Sequence, residues 1–234
     1  MFNLSAAHYD AIYSFKDYAA EAKIVHEVAE RYKQSPGNDL LDVACGTGHH
    51  LEHLQDWYRC EGLDIEKGLL DSARARLPSM PLHQGDMASF HLGRTFDVVT
   101  CLFSAIGYLT EPDALSATLN CMAEHMKPGA ALLVEPWFQP HEWRAGRPHM
   151  TLVDEPELKI ARMNVSETDG DLSICHFHYL VGTPAGVKRY EERHVLRLVT
   201  HEETGKAFEA AGLSFDVLEP GPSGRGLFVG VKPD

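Results

Sequence analysis

The segment Leu40-Leu-Asp-Val-Ala-Cys-Gly-Thr-Gly48 constrains the fold of this chain more than any other stretch. It joins an apolar strand, predicted over 39–43, to a helix predicted over 49–57. Its two glycines allow the backbone to turn tightly and a ligand to approach bare peptide groups. The NAD fingerprint requires a small residue at position 51, where this chain has Leu51, so NAD is the poorer interpretation.

Strands and helices alternate along the first 136 of the 234 residues. Further strands are predicted over 60–65, 81–85, 96–103 and 130–135, and helices over 68–76 and 114–126. This alternation predicts an α/β fold of Rossmann-like type, a mostly parallel twisted sheet flanked by helices. Ahead of it, residues 9–33 are expected to form one or two helices over the edge of the sheet.

The pattern changes after Pro136, where three long strands with turns between them are predicted over 158–165, 172–181 and 187–198. We therefore expect a single domain over residues 1–234, with a core of 35–137 and 199–234 and an antiparallel sheet inserted over about 138–198. A helix capped by Thr200 and a final hairpin (213–218 and 227–231) are predicted to complete the core.

Two acids lie where the second and third predicted strands end. Asp64 follows Gly46 by 18 residues (64 − 46), and Asp86 ends the third strand. Ligands of open α/β sheets bind outside the carboxyl ends of the strands, where an acid accepts hydrogen bonds from ribose hydroxyls or from an adenine amino group. Either acid alone is equally consistent with a loop residue that starts a helix, and Asp42 with a turn cap. Together they predict a nucleoside site.

Composition excludes several classes of function. The net charge of −13 and the lack of a Lys/Arg run argue against nucleic acid, and no apolar run approaches the roughly 20 residues that span a membrane. Five cysteines without a CxxC pair indicate reduced thiols and a cytoplasmic protein. The pairs His49-His50 and His176-x-His178 lack further ligands of suitable type, so no metal site is predicted.

The segments LDVACGTG, GLDI, QGDM, FDVVTCLF and KPGAALLVEPW resemble, in order and spacing, the motifs of class I methyltransferases that depend on S-adenosylmethionine (SAM). The resemblance covers about residues 39–136 and implies SAM as the cofactor. It implies that Ala44 and Gly46 pass near the methionine part, that Asp64 holds the ribose, and that Asp86 with Met87 holds adenine. The complete implied cofactor site is Tyr9, Tyr18, Ala44, Gly46, Gly48, Asp64, Ile65, Asp86, Met87 and Leu102.

A narrower resemblance covers most of the chain. LSICHFHYLV (172–181), EERH (191–194) and GPSGRGLF (221–228) are similar to segments of the N,N-dimethyltransferases of nucleotide-linked amino sugars in macrolide biosynthesis. This resemblance implies a dTDP-linked 3-amino sugar as the methyl acceptor, and a homodimer. A different small-molecule O- or N-methyltransferase, or a SAM sensor without activity, remain the alternatives.

Six residues are candidates for the acceptor side of the site. Arg225 is expected to bind phosphate, because the guanidinium fork matches phosphate oxygens; the alternative is a surface residue on a hairpin. Tyr108 and His178 are the candidate catalytic residues, with an ordinary strand residue as the alternative for His178. Three further residues are expected to bind the acceptor, although the first of them is equally consistent with a structural carboxylate: Glu135, Ser104 and Tyr179.

Overall fold

A computed structural model describes residues 5–234 of the chain, with side chains from His8 onward. Its helices are α1 (Ser5–Ile12), α2 (Tyr18–Tyr32), α3 (His49–Leu54), α4 (Lys67–Arg76), a 3₁₀ helix (Ala105–Tyr108), α5 (Ala114–Glu124) and α6 (His201–Ala210). The strands are β1 (Asp39–Val43), β2 (Arg59–Asp64), β3 (Leu82–Gln84), β4 (Phe96–Cys101), β5 (Met126–Val134), β6 (Pro148–Asp154), β7 (Lys159–Asp169), β8 (Leu172–Thr183), β9 (Gly186–Arg197), β10 (Asp216–Leu218) and β11 (Leu227–Val231).

Seven of these strands form the main sheet, in the order β10-β11-β5-β4-β1-β2-β3. Strands β1 to β5 run parallel, and the β10–β11 hairpin adds to β5 in the antiparallel direction. The predicted α/β fold with a mostly parallel sheet is therefore confirmed. Because the first strands are parallel, their carboxyl ends meet along one edge, where the predicted acids lie.

Apolar residues cover both faces of the main sheet. Along β1, which is buried throughout, Leu40 packs in the cluster under α2 and α3, and Leu41 packs in the cluster under α5 and α6. Helix α2 inserts Ala22 and Val25 into the first of these clusters, over the centre of the sheet. The expected position of this helix over the sheet edge was therefore wrong: its small, apolar face fits the broad sheet surface instead.

Strands β6 to β9 form a separate antiparallel sheet in sequential order. It has four strands, not the predicted three. The additional strand β6 is a mostly exposed edge strand that starts at Pro148, so its sequence lacks the apolar alternation of a half-buried strand. The inner face of this second sheet packs Ile160, Tyr179 and Val181 against Ile12 of α1. Helix α1 therefore lies between the two sheets.

None of the helices within residues 5–234 combines the length and the apolar composition needed to cross a membrane. At the start of α6, Thr200 Oγ1 accepts a hydrogen bond from the Glu203 amide over 3.1 Å, as predicted for the cap residue. The Glu203 carboxylate instead pairs with Arg197 of β9, 2.9 Å away, and so ties α6 to the second sheet.

Candidate active site

A cavity of about 790 Å³ lies between the carboxyl ends of β1, β2 and β4 and the inner face of the second sheet. Its volume is in the range of small-molecule sites. Acids of the main sheet, including Asp64 and Asp86, lie along one part of the wall. Three cationic side chains contribute to the lining: Lys16, Arg162 and Arg225. The cavity thus presents carboxylates at the strand ends together with cations supplied by the surrounding loops and strands.

Asp64 connects the end of β2 to the turn that follows β1. Its Oδ2 accepts a hydrogen bond from the Gly46 amide over 2.8 Å, and its Oδ1 accepts from the Glu66 amide over 2.8 Å. The turn itself requires left-handed backbone at Ala44 (φ 60°) and Gly46 (φ 57°). Each carboxylate oxygen has a second lone pair available for a ligand hydroxyl. Desolvation raises the pKa of Asp64, because burial disfavours its charged form.

Asp86, Met87 and Ile65 lie beside one another on the cavity wall where β2 and β3 end. Asp86 Oδ1 accepts from the Ala88 amide over 2.9 Å, which fixes the orientation of the carboxylate. Ile65 is exposed and offers an apolar surface, and Leu102 lies at the end of β4. An apolar slot with one fixed acceptor at its end is suited to a purine ring that carries an amino group.

The turn after β4 is held by Glu135. Phe103 and Ser104 both have left-handed backbone (φ 53° and 59°), and Glu135 Oε2 accepts from the Phe103 amide over 2.7 Å. Arg225 donates from Nε to Ser104 Oγ over 2.8 Å, and its Nη2 lies 3.2 Å from Glu135 Oε1. Ser223 also donates to Glu135 Oε1. Buried hydrogen bonds and an ion pair therefore stabilise this strained turn, which faces the cavity.

Tyr108, in the 3₁₀ helix after β4, and Tyr179, in β8 of the second sheet, both lie on the cavity wall. The Tyr108 hydroxyl lies 2.7 Å from Nδ1 of His194 on β9. Nε2 of His194 lies 3.4 Å from Glu192 Oε2, which accepts from the Tyr179 hydroxyl over 3.1 Å. Burial raises the pKa of the Tyr108 phenol well above its usual value. These four side chains join the second sheet to the 3₁₀ helix after β4.

Comparisons with known proteins agree with this arrangement. A family model described as "Methyltransferase domain" matches residues 40–129. The dTDP-3-amino-3,4,6-trideoxy-alpha-D-glucopyranose N,N-dimethyltransferase of Streptomyces venezuelae is 42% identical over 218 residues, 92% of this chain and 92% of the relative. The chain belongs to the N,N-dimethyltransferases of dTDP-linked amino sugars.

Solved structures extend this likeness to the whole fold. The crystal structure of Streptomyces venezuelae DesVI superposes with a TM-score of 0.91 at 40% identity and covers 98% of each chain. SAM-bound CalS10, an amino pentose methyltransferase from Micromonospora echinaspora, gives a TM-score of 0.87 at 36% identity, over 99% of this chain and 98% of the other. This chain is therefore a SAM-dependent methyltransferase with the class I fold.

The cofactor end of the cavity fits SAM. The Gly46 turn after β1, the Asp64 carboxylate at the end of β2 and the Asp86 acceptor after β3 follow one another along the wall, as an amino acid attached to a nucleoside requires. Ala44, Ile65, Met87, Leu102 and Tyr9 also line the cavity. Their contact with SAM remains a prediction from the sequence, now consistent with their position.

Two residues of the predicted cofactor site lie elsewhere. Gly48 is outside the cavity lining; a Cβ there would lie 3.0 Å from Leu77 Cδ1 and 3.3 Å from Ala73 Cβ, so glycine permits close packing of α3 on α4. Tyr18 is also outside the lining, with its ring stacked on His49 at 4.5 Å. Tyr18 lies in the first turn of α2, and α2 packs on α3. The Tyr18 ring therefore contacts α3 and does not reach the cavity. Lys16 and Tyr13 of the preceding loop reach the cavity instead.

Two residues of the predicted acceptor site also need correction. Glu135 has no exposed surface and is absent from the cavity wall, because its carboxylate is used by Phe103, Ser223 and Arg225. His178 points to the outer face of the second sheet, where it pairs with Glu191 at 3.3 Å. Successive strand residues face opposite sides, so once Tyr179 faces the cavity His178 cannot.

Ser104, Tyr108, Tyr179 and Arg225 line the cavity, as predicted for residues that contact the acceptor. Arg225 is not an open surface residue: its side chain is 19% exposed and lies 5.7 Å from the rings of both Phe103 and Trp137. The expected residue set nevertheless omitted His194 and Arg162. His194 alternates in phase with Leu196, which also lines the cavity, and Arg162 alternates in phase with Ile160 of the inner face, so the period of two was the signal that could have identified them.

Arg162 of β7 differs from Arg225 in the partners of its guanidinium group: Arg225 pairs with a carboxylate, whereas Arg162 bonds to neutral hydroxyl groups. It donates to the Tyr13 hydroxyl over 3.1 Å and to Thr151 Oγ1 over 3.0 Å, and its guanidinium lies about 5 Å from the rings of Tyr13 and Phe177. Among the residues that the structure describes, no carboxylate lies within ion-pair distance of Arg162. Its charge is therefore available to an anionic ligand.

Proposed function

We propose that this enzyme transfers two methyl groups from SAM to the amino nitrogen of a nucleotide-linked amino sugar. The observation that carries the proposal is the continuity of the cavity, which joins the strand-end acids of the main sheet to the cationic and aromatic inner face of the second sheet. A sugar nucleotide and SAM can therefore share one enclosed space. The similar protein from Streptomyces venezuelae, whose name specifies a dTDP-linked 3-amino sugar, supports this acceptor class.

The distribution of charge favours an anionic acceptor. The whole protein carries a net charge of −13, so a diphosphate must be attracted by local cations. Arg162 is the better anchor than Arg225, because Glu135 already compensates the charge of Arg225. Guanidinium groups bind phosphate oxygens in a bidentate manner, and partial burial strengthens such bonds. Arg162 would therefore hold the diphosphate, while Arg225 shapes the turn at Ser104.

The chemistry places modest demands on the protein. SAM supplies a methyl group on a sulfonium, which leaves as a neutral thioether. The protein must hold the amine in line with that methyl group and keep water away, and such positioning contributes several kcal/mol. The amine must be neutral, because an ammonium has no lone pair. Tyr108, Ser104 and Tyr179 line the acceptor side and can position the amine and neighbouring sugar hydroxyls.

The outer face of the second sheet supports the proposal that two copies associate. Large apolar side chains are exposed there in adjacent strands: Met150 and Leu152 of β6 are each 62% exposed, and Met163 of β7 is 49% exposed. Both signs of charge border them, with Arg189 and Glu191 on β9. In a two-fold symmetric dimer the same face of each copy packs against the other, so a face with apolar residues and both signs of charge can be complementary to itself. A second copy of this chain is therefore the partner that we propose for this face. The five free, buried cysteines support a reducing cytoplasmic location.

Mass spectrometry of acceptors incubated with the enzyme and SAM tests the proposed acceptor. The panel contains dTDP-linked 3-amino and 4-amino sugars, the free amino sugars, and nucleotide-free phenols, carboxylic acids and amines. We expect the mass of two methyl groups replacing two hydrogens on a dTDP-linked amino sugar, and little reaction of the free sugar. Efficient methylation of a nucleotide-free phenol or acid, with the amino sugars unchanged, would contradict the proposal and establish a different small-molecule methyltransferase.

A further inference from the structure

A buried ion pair in the cavity wall has no role in the cofactor and acceptor contacts described above. Lys16, in the loop before α2, and Glu21 of α2 both line the cavity, and Lys16 Nζ lies 2.7 Å from Glu21 Oε1. Their side chains are 4% and 10% exposed. Burial of two charges has a desolvation cost that their mutual attraction often fails to offset. A ligand therefore explains this buried pair better than stability does.

The pair connects elements that surround the cofactor end of the cavity. Glu21 Oε2 lies 2.8 Å from Nε2 of His50 in α3, the helix that follows the glycine turn after β1. Lys16 Nζ lies 3.9 Å from the centroid of the Phe103 ring, in the turn after β4. Lys16 and Glu21 therefore reach from the element that follows β1 to the turn that follows β4.

The order of the strands places this pair in line with the predicted cofactor residues. Neighbouring strands of the main sheet run in the order β4-β1-β2-β3. Asp86 follows β3, Asp64 ends β2, and the Gly46 turn follows β1. Adenine at Asp86 and ribose at Asp64 direct the rest of SAM, which is its amino acid, toward β1 and β4. Lys16 and Glu21 lie at that end of the line.

The chemistry of the pair is complementary to an amino acid. The methionine part of SAM carries an ammonium and a carboxylate on one carbon atom. A lysine beside a glutamate can offer each of these charges a partner of opposite sign, in charge-assisted hydrogen bonds. The Lys16 ammonium has three N–H donors, and Glu21 Oε1 uses one of them. A carboxylate has about four lone-pair positions, and the contacts of Glu21 with Lys16 and His50 use two of them.

Glu21 is the acid in this part of the wall that is suited to bind an ammonium. Burial acts to raise the pKa of Glu21, but hydrogen bonds and charges of His50 and Lys16 outweigh it and lower the pKa, so the carboxylate is ionised. Asp17 also lines the cavity, but it is exposed and its Oδ1 accepts from the Ala20 amide over 2.9 Å as the cap of α2. Glu21 is thus the enclosed acid of the two.

We propose that Lys16 and Glu21 bind the amino-acid end of SAM, Lys16 through the carboxylate and Glu21 through the ammonium. Neither residue belongs to the cofactor site that the sequence motifs imply. With the ribose held at Asp64, a second fixed end restricts the sulfonium between them, and this restriction is what an in-line transfer requires. The subsite concerns the cofactor and does not depend on which acceptor the enzyme methylates.

Three related ligands test the subsite without turnover. S-adenosylhomocysteine is the thioether that remains after methyl transfer, its decarboxylated form lacks the carboxylate, and 5′-methylthioadenosine lacks the whole amino acid. Calorimetry measures the dissociation constant of each. We expect Lys16→Met to weaken binding of S-adenosylhomocysteine about 10- to 100-fold and to change that of the other two by less than about 3-fold, since hydrogen bonds to charged groups are strong. Glu21→Gln should weaken both ligands that carry the ammonium and leave 5′-methylthioadenosine unchanged.

Another ion pair of α2 supplies matched controls. Lys23 Nζ lies 3.9 Å from Glu27 Oε1, with side chains 69% and 63% exposed. Lys23→Met and Glu27→Gln make the same chemical changes at the surface and should leave all three affinities unchanged. Because Lys16→Met leaves the buried Glu21 without its lysine, the double variant Lys16→Met/Glu21→Gln removes both charges together. It should fold and lose the preference of the wild type for S-adenosylhomocysteine over 5′-methylthioadenosine.

Two results would overturn the subsite. One is an unchanged affinity of Lys16→Met and of the double variant for S-adenosylhomocysteine. The other is an equal weakening of all three ligands, which would show that the pair acts on the structure of the cavity and not on the amino acid. The measurements contain no acceptor, so a failure of the proposed amino-sugar substrate would leave their outcome unaffected.

Discussion

Asp64 accepts a hydrogen bond from the Gly46 amide over 2.8 Å, and this contact joins the carboxyl ends of β2 and β1 at the cavity wall. The same carboxylate caps the Glu66 amide at the start of α4. The turn after β1, the acid after β2 and the first turn of α4 are therefore held as one unit. Because both oxygens are already oriented by backbone amides, a ribose that binds there meets a preorganised acceptor.

Asp64→Asn should weaken SAM binding by about 10- to 100-fold, since hydrogen bonds to charged groups contribute about 1.5–3 kcal/mol. Calorimetry of SAM binding measures the change. Asp71→Asn makes the same chemical change on the exposed side of α4, where Asp71 pairs with Lys67, and should leave the affinity unchanged. Equal affinities for wild type and Asp64→Asn would remove Asp64 from the ribose site.

Arg162→Met and Arg225→Met should have different effects. Loss of an uncompensated cation at Arg162 is expected to raise the acceptor KM by about 10- to 100-fold, with little change in Tm. Arg225→Met leaves the Glu135 carboxylate buried without its ion-pair partner, so the free energy of unfolding should fall by about 3 kcal/mol. Steady-state kinetics and thermal unfolding measure both. A larger KM effect at Arg225 would assign the diphosphate to Arg225 instead.

Asp42 gives the stability of the folded protein a dependence on pH. Desolvation by burial raises the pKa of Asp42 to about 6 from 3.8, although Thr100 donates to it over 2.7 Å. The folded state thus prefers the protonated carboxyl, and its contribution to stability is present below pH 3.8 and is lost as the pH rises to about 6.

Asp42→Asn should consequently stabilise the protein relative to wild type by about 3 kcal/mol at pH 7 and by much less near pH 4, because each pKa unit corresponds to 1.36 kcal/mol. Chemical denaturation without SAM at both pH values measures the difference. Asp56→Asn, which makes the same chemical change at an exposed carboxylate, serves as the control. A stability difference that does not change with pH would show that Asp42 is not desolvated as the structure implies.

Met150→Glu should convert a dimer into a monomer, because it places a charge among the exposed apolar side chains of β6 and β7 on the outer face of the second sheet. Light scattering after gel filtration measures the mass. Ile24→Glu changes an exposed apolar residue of α2 outside that face, and should leave the dimer intact. A wild-type protein that is monomeric at micromolar concentration, or a dimer that persists in Met150→Glu, would contradict the proposed interface.

The sequence predicted the main sheet well because its signals are local. A glycine turn, an acid at a strand end and a run of apolar residues each depend on a few neighbours, so β1, β2 and their connecting helix lie where expected. Edge strand β6 lacked such a signal, since neither face of it is buried along its length. The placement of α2 depends on which surface of the sheet is broad enough to receive it, and residue spacing within the helix does not contain that information.

The acceptor side depended on contacts between distant segments. Glu135 and Arg225 are 90 residues apart, and only the fold shows that they pair and so remove the carboxylate from the cavity. The error at His178 was avoidable, because the alternation of β8 allows only one of His178 and Tyr179 to face inward. His194 stood within a recognised segment, but its contact with Tyr108 joins residues that are 86 positions apart.

Transfer of a carbon-labelled methyl group to a nitrogen-labelled amino sugar tests the central claim most directly. The wild-type enzyme is incubated with SAM labelled in its methyl carbon and a dTDP-linked 3-amino sugar labelled at the amino nitrogen, and the product is analysed by NMR. The account predicts two labelled methyl carbons, both coupled to the labelled nitrogen. Label on a sugar oxygen, or no transfer in a sample in which SAM binding has been confirmed, would contradict it.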